Sequence, residues 1–236
     1  MSKLLVSVTS AEEALLALAG GADIIDMKNP AEGALGALPL SVVSEAVAAV
    51  DGRRITSATT GDLPMQPELV CDAVMQMAST GVDIIKVGFF GSELENTHCI
   101  TALQPLIGQH KLTVVAVLMA DQSPVFSILP LLCKAGFWGV MLDTAGKDGR
   151  SLLSHLPLEA LQAFLEMAKD MHTGLAGSLR IENIEELIKM KPSYIGVRGA
   201  VCVGFDRMAK LCESRVSMLS VVLYNCNKSV ESADLA

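Results

Sequence analysis

The 236-residue sequence predicts a single α/β domain of the (β/α)8, or TIM-barrel, class. Three observations carry that expectation. Short β-branched runs alternate with longer amphipathic segments along nearly the whole chain, as parallel strands joined by helical crossovers require. The runs number eight. A short sequence echo, a turn followed by a buried strand, returns at the even-numbered runs, as a quarter-barrel repeat would.

The strands are expected at Lys3 to Val8, Ile24 to Met27, Arg54 to Ala58, Ile84 to Val87, Thr113 to Leu118, Gly139 to Leu142, Gly174 to Ala176 and Tyr194 to Val197. Between them, sets such as Leu69, Val70, Ala73, Val74, Met77 and Ala78, and later Leu158, Leu161, Leu165 and Ala168, recur at three- and four-residue spacing. That spacing puts each set on one helical face able to pack on a sheet. Ser10 with Glu13 reads as a capping box, and Pro39 and Pro157 stand near helix starts, where a missing N–H costs little. The echo comprises Gly21-Ala22-Asp23-Ile24-Ile25-Asp26, Gly81-Val82-Asp83-Ile84-Ile85-Lys86, Gly136-Phe137-Trp138-Gly139-Val140-Met141 and Pro192-Ser193-Tyr194-Ile195-Gly196-Val197. Glycine permits a left-handed helix exit, and the apolar run after it suits a strand covered on both faces. No linker divides the chain before about residue 214, so the domain is expected to span 1–236, with a frayed polar tail from about Lys228.

Composition excludes several function classes. Hydrophobic residues make up 51% and mean hydropathy is +0.45. No apolar run reaches the roughly 18 to 20 residues of a spanning helix, so the apolar excess is assigned to buried sheet and no membrane partner is expected. A net charge of -8 without a Lys/Arg cluster argues against nucleic acid. The opening Met1 to Val8 is too short for a signal sequence, and a cytoplasmic location is expected. Six cysteines without a CxxC pair and four histidines without an HxxxH pair support neither a disulfide framework nor a metal site. No cofactor is expected, and the assembly expected is a homo-oligomer.

In a barrel of this class the active site forms where strands end and their loops begin. Strand 2 ends in Asp26-Met27-Lys28, strand 4 in Lys86 and strand 6 in Asp143, with Lys147 in the loop after it. Alternation puts Asp26 and Lys28 on the inner side of the sheet and Met27 against the helices. An inward lysine is costly unless paired, so one reading is a structural ion pair of Lys28 with Asp26 or Asp143. The other is chemical: neighbouring cations (Lys86 and Lys147) and partial desolvation favour the neutral amine, which attacks a carbonyl to form a Schiff base. The iminium is then an electron sink, with Lys86 or an aspartate moving protons. After strands 7 and 8, Gly177-Ser178 and Arg198-Gly199 stand where barrels often bind phosphate through backbone N–H groups, with Ser178 and Arg198 adding side-chain contacts. The substrate expected is a small phosphorylated carbonyl compound. Thr59-Thr60-Gly61-Asp62 either touches substrate or caps the next helix.

The segment Gly21 to Pro30, continuing through Glu32-Gly33-Ala34-Leu35-Gly36-Ala37, closely resembles the (5-formylfuran-3-yl)methyl phosphate synthases, or 4-HFC-P synthases. So do Ser57 to Asp62, Ile85 to Gly88, Met141 to Gly149, Leu175 to Ser178 and Gly196 to Ala200. The resemblance implies a barrel lyase that condenses two glyceraldehyde 3-phosphate molecules into (5-formylfuran-3-yl)methyl phosphate, with loss of phosphate and water, on the route to methanofuran. It places the Schiff-base lysine at Lys28, the proton-accepting lysine at Lys86, and the other active-site acids and lysine at Asp26, Asp143 and Lys147. Two departures stand out: the stretch between strands 4 and 6, through Met119 to Ser127, is shorter than in archaeal members, and the tail after about Cys212 does not share the resemblance. The alternatives from the residues alone are a class I aldolase acting on another phosphosugar, a decarboxylase or epimerase working without an imine, and a barrel that only binds a phosphorylated metabolite or a partner.

Overall fold

Eight parallel strands close on themselves in the computed structural model, which describes residues 1–146 and 149–234. They are β1 (Lys3–Val8), β2 (Ile24–Met27), β3 (Ile55–Thr59), β4 (Ile84–Phe89), β5 (Val114–Met119), β6 (Gly139–Asp143), β7 (His172–Leu175) and β8 (Tyr194–Val197). Each pairs with the next in sequence, and β8 returns to β1 with Lys3 opposite Tyr194. The helices are α1 (Ala11–Ala19), α2 (Leu40–Val50), α3 (Pro67–Ala78), α4 (Glu93–His110), α5 (Leu129–Lys134), α6 (Leu152–His155), α7 (Leu158–Met167), α8 (Ile181–Ile188) and α9 (Glu213–Asp234). The expected TIM barrel is therefore the observed one. β7 differs most from expectation: it opens two residues early because the His172 N–H pairs with the Trp138 carbonyl at 3.0 Å, behind a polar side chain that hides the strand in the sequence.

Strand alternation sorts the apolar side chains into two cores. Val6, Ile25, Met27, Ala116, Leu142 and Ile195 face outward and pack with helix residues such as Val43, Val74, Leu103 and Leu161. Leu5, Ile24, Val115, Val117, Met141 and Tyr194 face inward and fill the barrel. Each large aliphatic side chain so buried contributes about 1.5–3 kcal/mol, enough to fix which face of a strand points in. In β2 the frame runs Ile24 in, Ile25 out, Asp26 in, Met27 out.

The echo has a structural meaning. Gly21, Gly81 and Gly136 take left-handed conformations with φ of 89°, 80° and 84°, ending a helix so that the chain can turn into the barrel. In the fourth copy that place is taken by Lys191, at φ 57°, one residue before Pro192. Two residues further on in three copies, Asp23, Asp83 and Ser193 accept the N–H of Leu4, Thr56 and Thr173 at 2.9, 2.7 and 3.0 Å. The segments that lead into β2, β4 and β8 thus grip the start of the odd strand before each of them.

Two local expectations change. Ser10 caps α1, accepting the Glu13 N–H at 3.2 Å, but the Glu13 carboxylate turns away from the cap to Thr9, Leu211 and Arg198, so the box is half made. The tail expected to fray from Lys228 instead extends α9 through Asp234. Asn227 holds that helix to the chain start: it accepts the Ser2 N–H at 2.8 Å and donates to the Ser2 carbonyl at 2.9 Å. Among the described residues no helix is long and apolar enough to cross a membrane.

Candidate active site

A cavity of about 250 Å³ opens at the carboxyl end of the strands, lined by Lys28, Lys86, Asp143, Ser178, Arg198 and Arg207 among others. Asp26 lies beneath it, fully buried, and is held by three donors. Lys86 Nζ stands 2.7 Å from its Oδ1, Ser57 Oγ donates to Oδ1 at 2.6 Å and Ser7 Oγ donates to Oδ2 at 2.9 Å. Across the cavity Lys28 Nζ meets Asp143 Oδ2 at 3.3 Å, while Asp143 Oδ1 accepts the Thr144 N–H at 2.7 Å. The two ion pairs are therefore crossed: Asp26 takes Lys86, and Lys28, two residues along its own strand, takes the acid of β6.

The pairs differ in access. Lys86 is 2% exposed and Lys28 is 8% exposed, at the cavity wall. Burial pushes the Lys86 ammonium below its ordinary range; Asp26 pulls the other way, and the charge of Lys28 pushes it down again. Burial raises the Asp26 carboxyl, but the charges of Lys86 and Lys28 and the hydrogen bonds from Lys86 and Ser57 outweigh it and hold the group below the usual carboxylate range. A lysine brought toward neutrality is a competent base, and a lysine facing a cavity beside a carboxylate can hand that carboxylate a proton.

The sequence-predicted residues are thus partly assembled: Lys28, Lys86, Asp26 and Asp143 meet in one place. Lys147 lies outside the described residues. Gly177 and Ser178 form the β7 side of the cavity in left-handed conformations, φ 109° and 48°, the latter unusual for a residue with a side chain. Gly199 lies on the β8 side.

Arg198 is placed otherwise than expected. Its Nε donates to the Arg207 carbonyl at 3.0 Å, Nη1 to the Ser7 carbonyl at 3.0 Å and to Glu13 Oε2 at 2.5 Å, and Nη2 to Glu13 Oε1 at 3.3 Å and the Ala209 carbonyl at 3.2 Å. All five guanidinium hydrogens are spent on the protein, which corrects its assignment as a phosphate-gripping side chain. Burial raises the Glu13 carboxyl, and the hydrogen bond and charge of Arg198 more than reverse that. The pair is a brace between α1 and the β8 loop.

Sequence reasoning missed two aspartates that build the rim. Asp62 accepts the N–H of Ala34 at 2.8 Å and of Leu35 at 2.7 Å, so the Thr59 to Asp62 loop holds the segment that follows Lys28. Asp121 accepts the N–H of Ala145 at 2.7 Å and of Gly146 at 2.6 Å, holding the segment that follows Asp143. The only signal for Asp62 was its place in a polar loop at a strand end, and Asp121 had none.

A closed barrel with crossed lysine–carboxylate pairs at its carboxyl mouth belongs among the (β/α)8-barrel enzymes. A family model described as 4-HFC-P synthase matches residues 4–220, and the chain belongs to that family. It is 39% identical over 228 residues to a (5-formylfuran-3-yl)methyl phosphate synthase of Methanosarcina barkeri, covering 92% of this chain and 97% of that one. With the enzyme of the same name from Archaeoglobus fulgidus it shares 40% identity over 224 residues, 89% of this chain and 94% of the other. Among solved structures, 3-hexulose-6-phosphate synthase of Salmonella typhimurium superposes with a TM-score of 0.66 at 18% identity, covering 95% and 99% of the two chains. Phosphoribosyl anthranilate isomerase of Thermus thermophilus gives 0.66 at 16% identity, covering 94% and 98%. Those two likenesses concern the fold alone.

Proposed function

We infer that this chain condenses two molecules of glyceraldehyde 3-phosphate into (5-formylfuran-3-yl)methyl phosphate, releasing one phosphate and two waters, in methanofuran biosynthesis. The observation that carries the reading is the crossed arrangement, with Lys28 on the cavity beside Asp143 and Lys86 deeper in the same cavity, paired with the fully buried Asp26.

Lys28 Nζ passes a proton to Asp143 and attacks the aldehyde carbon of one triose phosphate. The carbinolamine loses water, with Asp143 returning a proton to the departing oxygen, and leaves an iminium. The iminium acidifies the adjacent C–H, and Lys86, held toward neutrality by burial, takes that proton. The resulting enamine carbon forms the new C–C bond with the aldehyde of the second molecule. Attack of a hydroxyl of the second molecule on the iminium carbon closes the ring and releases Lys28. Loss of phosphate, loss of two hydroxyls as water and uptake of one water at the carbon that becomes the aldehyde then complete the furan, for a net release of one phosphate and two waters. Asp26, bonded to Lys86, Ser7 and Ser57, keeps the base in place and takes no part in bond making.

The test is incubation with glyceraldehyde 3-phosphate, following furan-aldehyde absorbance and free phosphate, with a parallel sample quenched in borohydride and mapped by peptide mass spectrometry. The expected result is both products and a reduced adduct on Lys28. An adduct without a furan would make the protein a class I aldolase of another phosphosugar, and no adduct would remove the imine.

A further inference from the structure

With Arg198 consumed by Glu13 and by backbone carbonyls, the cavity has a different arginine to offer. Arg207 follows the turn Val203–Phe205, is half-buried, and lines the same wall as Lys28 and Ser178. Its Nη2 donates to the Pro30 carbonyl at 2.7 Å and to the Gly33 carbonyl at 3.0 Å. Among the described residues its Nε and Nη1 have no acceptor, and neither do the backbone N–H groups of Gly177, Ser178, Gly199 and Ala200. Burial weakens the proton affinity of Arg207, with the charge of Asp143 opposing, so guanidinium and carboxylate feel one another across the cavity. A half-desolvated cation on a cavity also lined by Gly177, Ser178, Gly199 and Ala200, whose N–H groups are unspent, suits a tetrahedral oxyanion.

We propose that Arg207 is the side chain that grips the substrate's phosphate, and that through Pro30 and Gly33 it couples phosphate occupancy to the loop that follows Lys28. The inference rests on reading the cavity as a site for phosphorylated aldehydes, and it adds a residue that the strand-end pattern does not reveal. Arg207 lies outside any strand and contacts the Lys28 loop from the far side of the chain, 177 residues from Pro30 in sequence. With Nη2 already fixed on two carbonyls, the remaining guanidinium hydrogens are aimed before the phosphate arrives, which reduces the entropy lost on binding.

Two measurements on the intact protein decide it. In the first, inorganic phosphate is titrated against wild type, Arg207→Ala and Arg207→Gln by calorimetry. Both variants should bind phosphate about tenfold more weakly or worse, the scale of one lost charge-assisted hydrogen bond. Gln keeps a polar amide where Nε stood although it is too short for the Pro30 carbonyl, and a circular-dichroism melt checks that each variant is folded. In the second, borohydride capture on Lys28 is measured with glyceraldehyde 3-phosphate and with glyceraldehyde. The ratio of their half-saturating concentrations, which expresses the preference for the phosphorylated substrate, should fall about tenfold or more in both variants. Unchanged phosphate affinity in folded Arg207→Gln, or an unchanged ratio, overturns the proposal. If wild type captures neither aldehyde, the imine reading fails, and the phosphate titration alone still decides for or against Arg207.

Discussion

The two ends of the barrel handle polarity in opposite ways. At the carboxyl end two lysines and two aspartates are nearly removed from water, in pairs that leave Lys28 at the wall of a cavity. At the amino end a second cavity, of about 420 Å³, is bounded by Trp138 and His172, stacked at 3.9 Å, with Lys3, Tyr194 and Asn227 around it. There Asn227 spends its amide on the backbone of Ser2. The one buried side-chain N or O atom left without a hydrogen-bond partner among the described residues is also there, the Tyr194 hydroxyl. Buried ion pairs contribute little net stability and are kept where charge has work to do, whereas hydrogen bonds to backbone hold an end closed. The difference marks one mouth for chemistry and the other for closure.

Substitutions at the two ends should therefore separate activity from stability. The largest effect is expected from Lys28→Arg, which keeps the charge beside Asp143 but cannot form the imine. Furan formation should fall by more than about a thousandfold, as when a nucleophile is removed, while the thermal midpoint shifts by only a few degrees. Retained turnover would reduce Lys28 to a structural cation.

Asp26→Asn strands Lys86 without its counter-ion and should cost about 3–5 kcal/mol in urea unfolding. Its pH dependence sharpens the point. Asp26 titrates lower in the folded state than in the unfolded one, so its contribution is full above the unfolded carboxyl value and is lost as pH falls toward the folded one. The variant should lack that part of the acid limb. Lys86 also titrates lower when folded, so between its folded and unfolded values the unfolded chain holds more protons and stability rises with pH. A wild-type acid limb identical to that of the variant would contradict the assignment of Asp26.

At the other end, Gly174→Ala would place a methyl carbon within 2.5 Å of Tyr194 Cζ and 2.8 Å of its hydroxyl. A stability loss of about 1–3 kcal/mol is expected from the overpacking, with catalysis per folded molecule little changed. The smallest effect belongs to Tyr194→Phe, which deletes an unsatisfied buried hydroxyl and should leave stability unchanged or raise it by up to about 1 kcal/mol. A clear loss on denaturation would mean that the hydroxyl has a partner.

Much of this was legible in the sequence because it depends on local periodicity. The β2 frame, alternating Ile24, Ile25, Asp26, Met27, specifies an inward acid and an inward lysine without knowledge of any other strand, and Lys86 and Asp143 follow from the same logic, although β4 runs on to Phe89 and so leaves Lys86 within the strand while Asp143 ends β6. Which acid meets which lysine was not legible, because it depends on how residues 115 positions apart face one another across a closed barrel. The same holds for the arginines: Arg198 sits at a strand end, where barrels hold phosphate, but Glu13, in a different element, claims its donors. Asp62 and Asp121 act on loops of neighbouring strands: the polar loop around Asp62 does not say which loop it holds, and Asp121 carries no mark in its own segment. The helical run from Lys228 to Asp234 was invisible for another reason: its polar residues suit a tail, and it is helical as the continuation of a turn fixed by Asn227.

The grips of Asp23, Asp83 and Ser193 on Leu4, Thr56 and Thr173 act as a reading frame for the barrel. A parallel strand that slips by one residue turns every side chain to the opposite face. From Asp23 to Lys28 is five residues, roughly 16 Å of extended chain at about 3.3 Å per residue. A carboxylate at the closed end, through its bond to one backbone N–H, therefore helps decide whether the amine at the open end looks into the barrel or out at the helices.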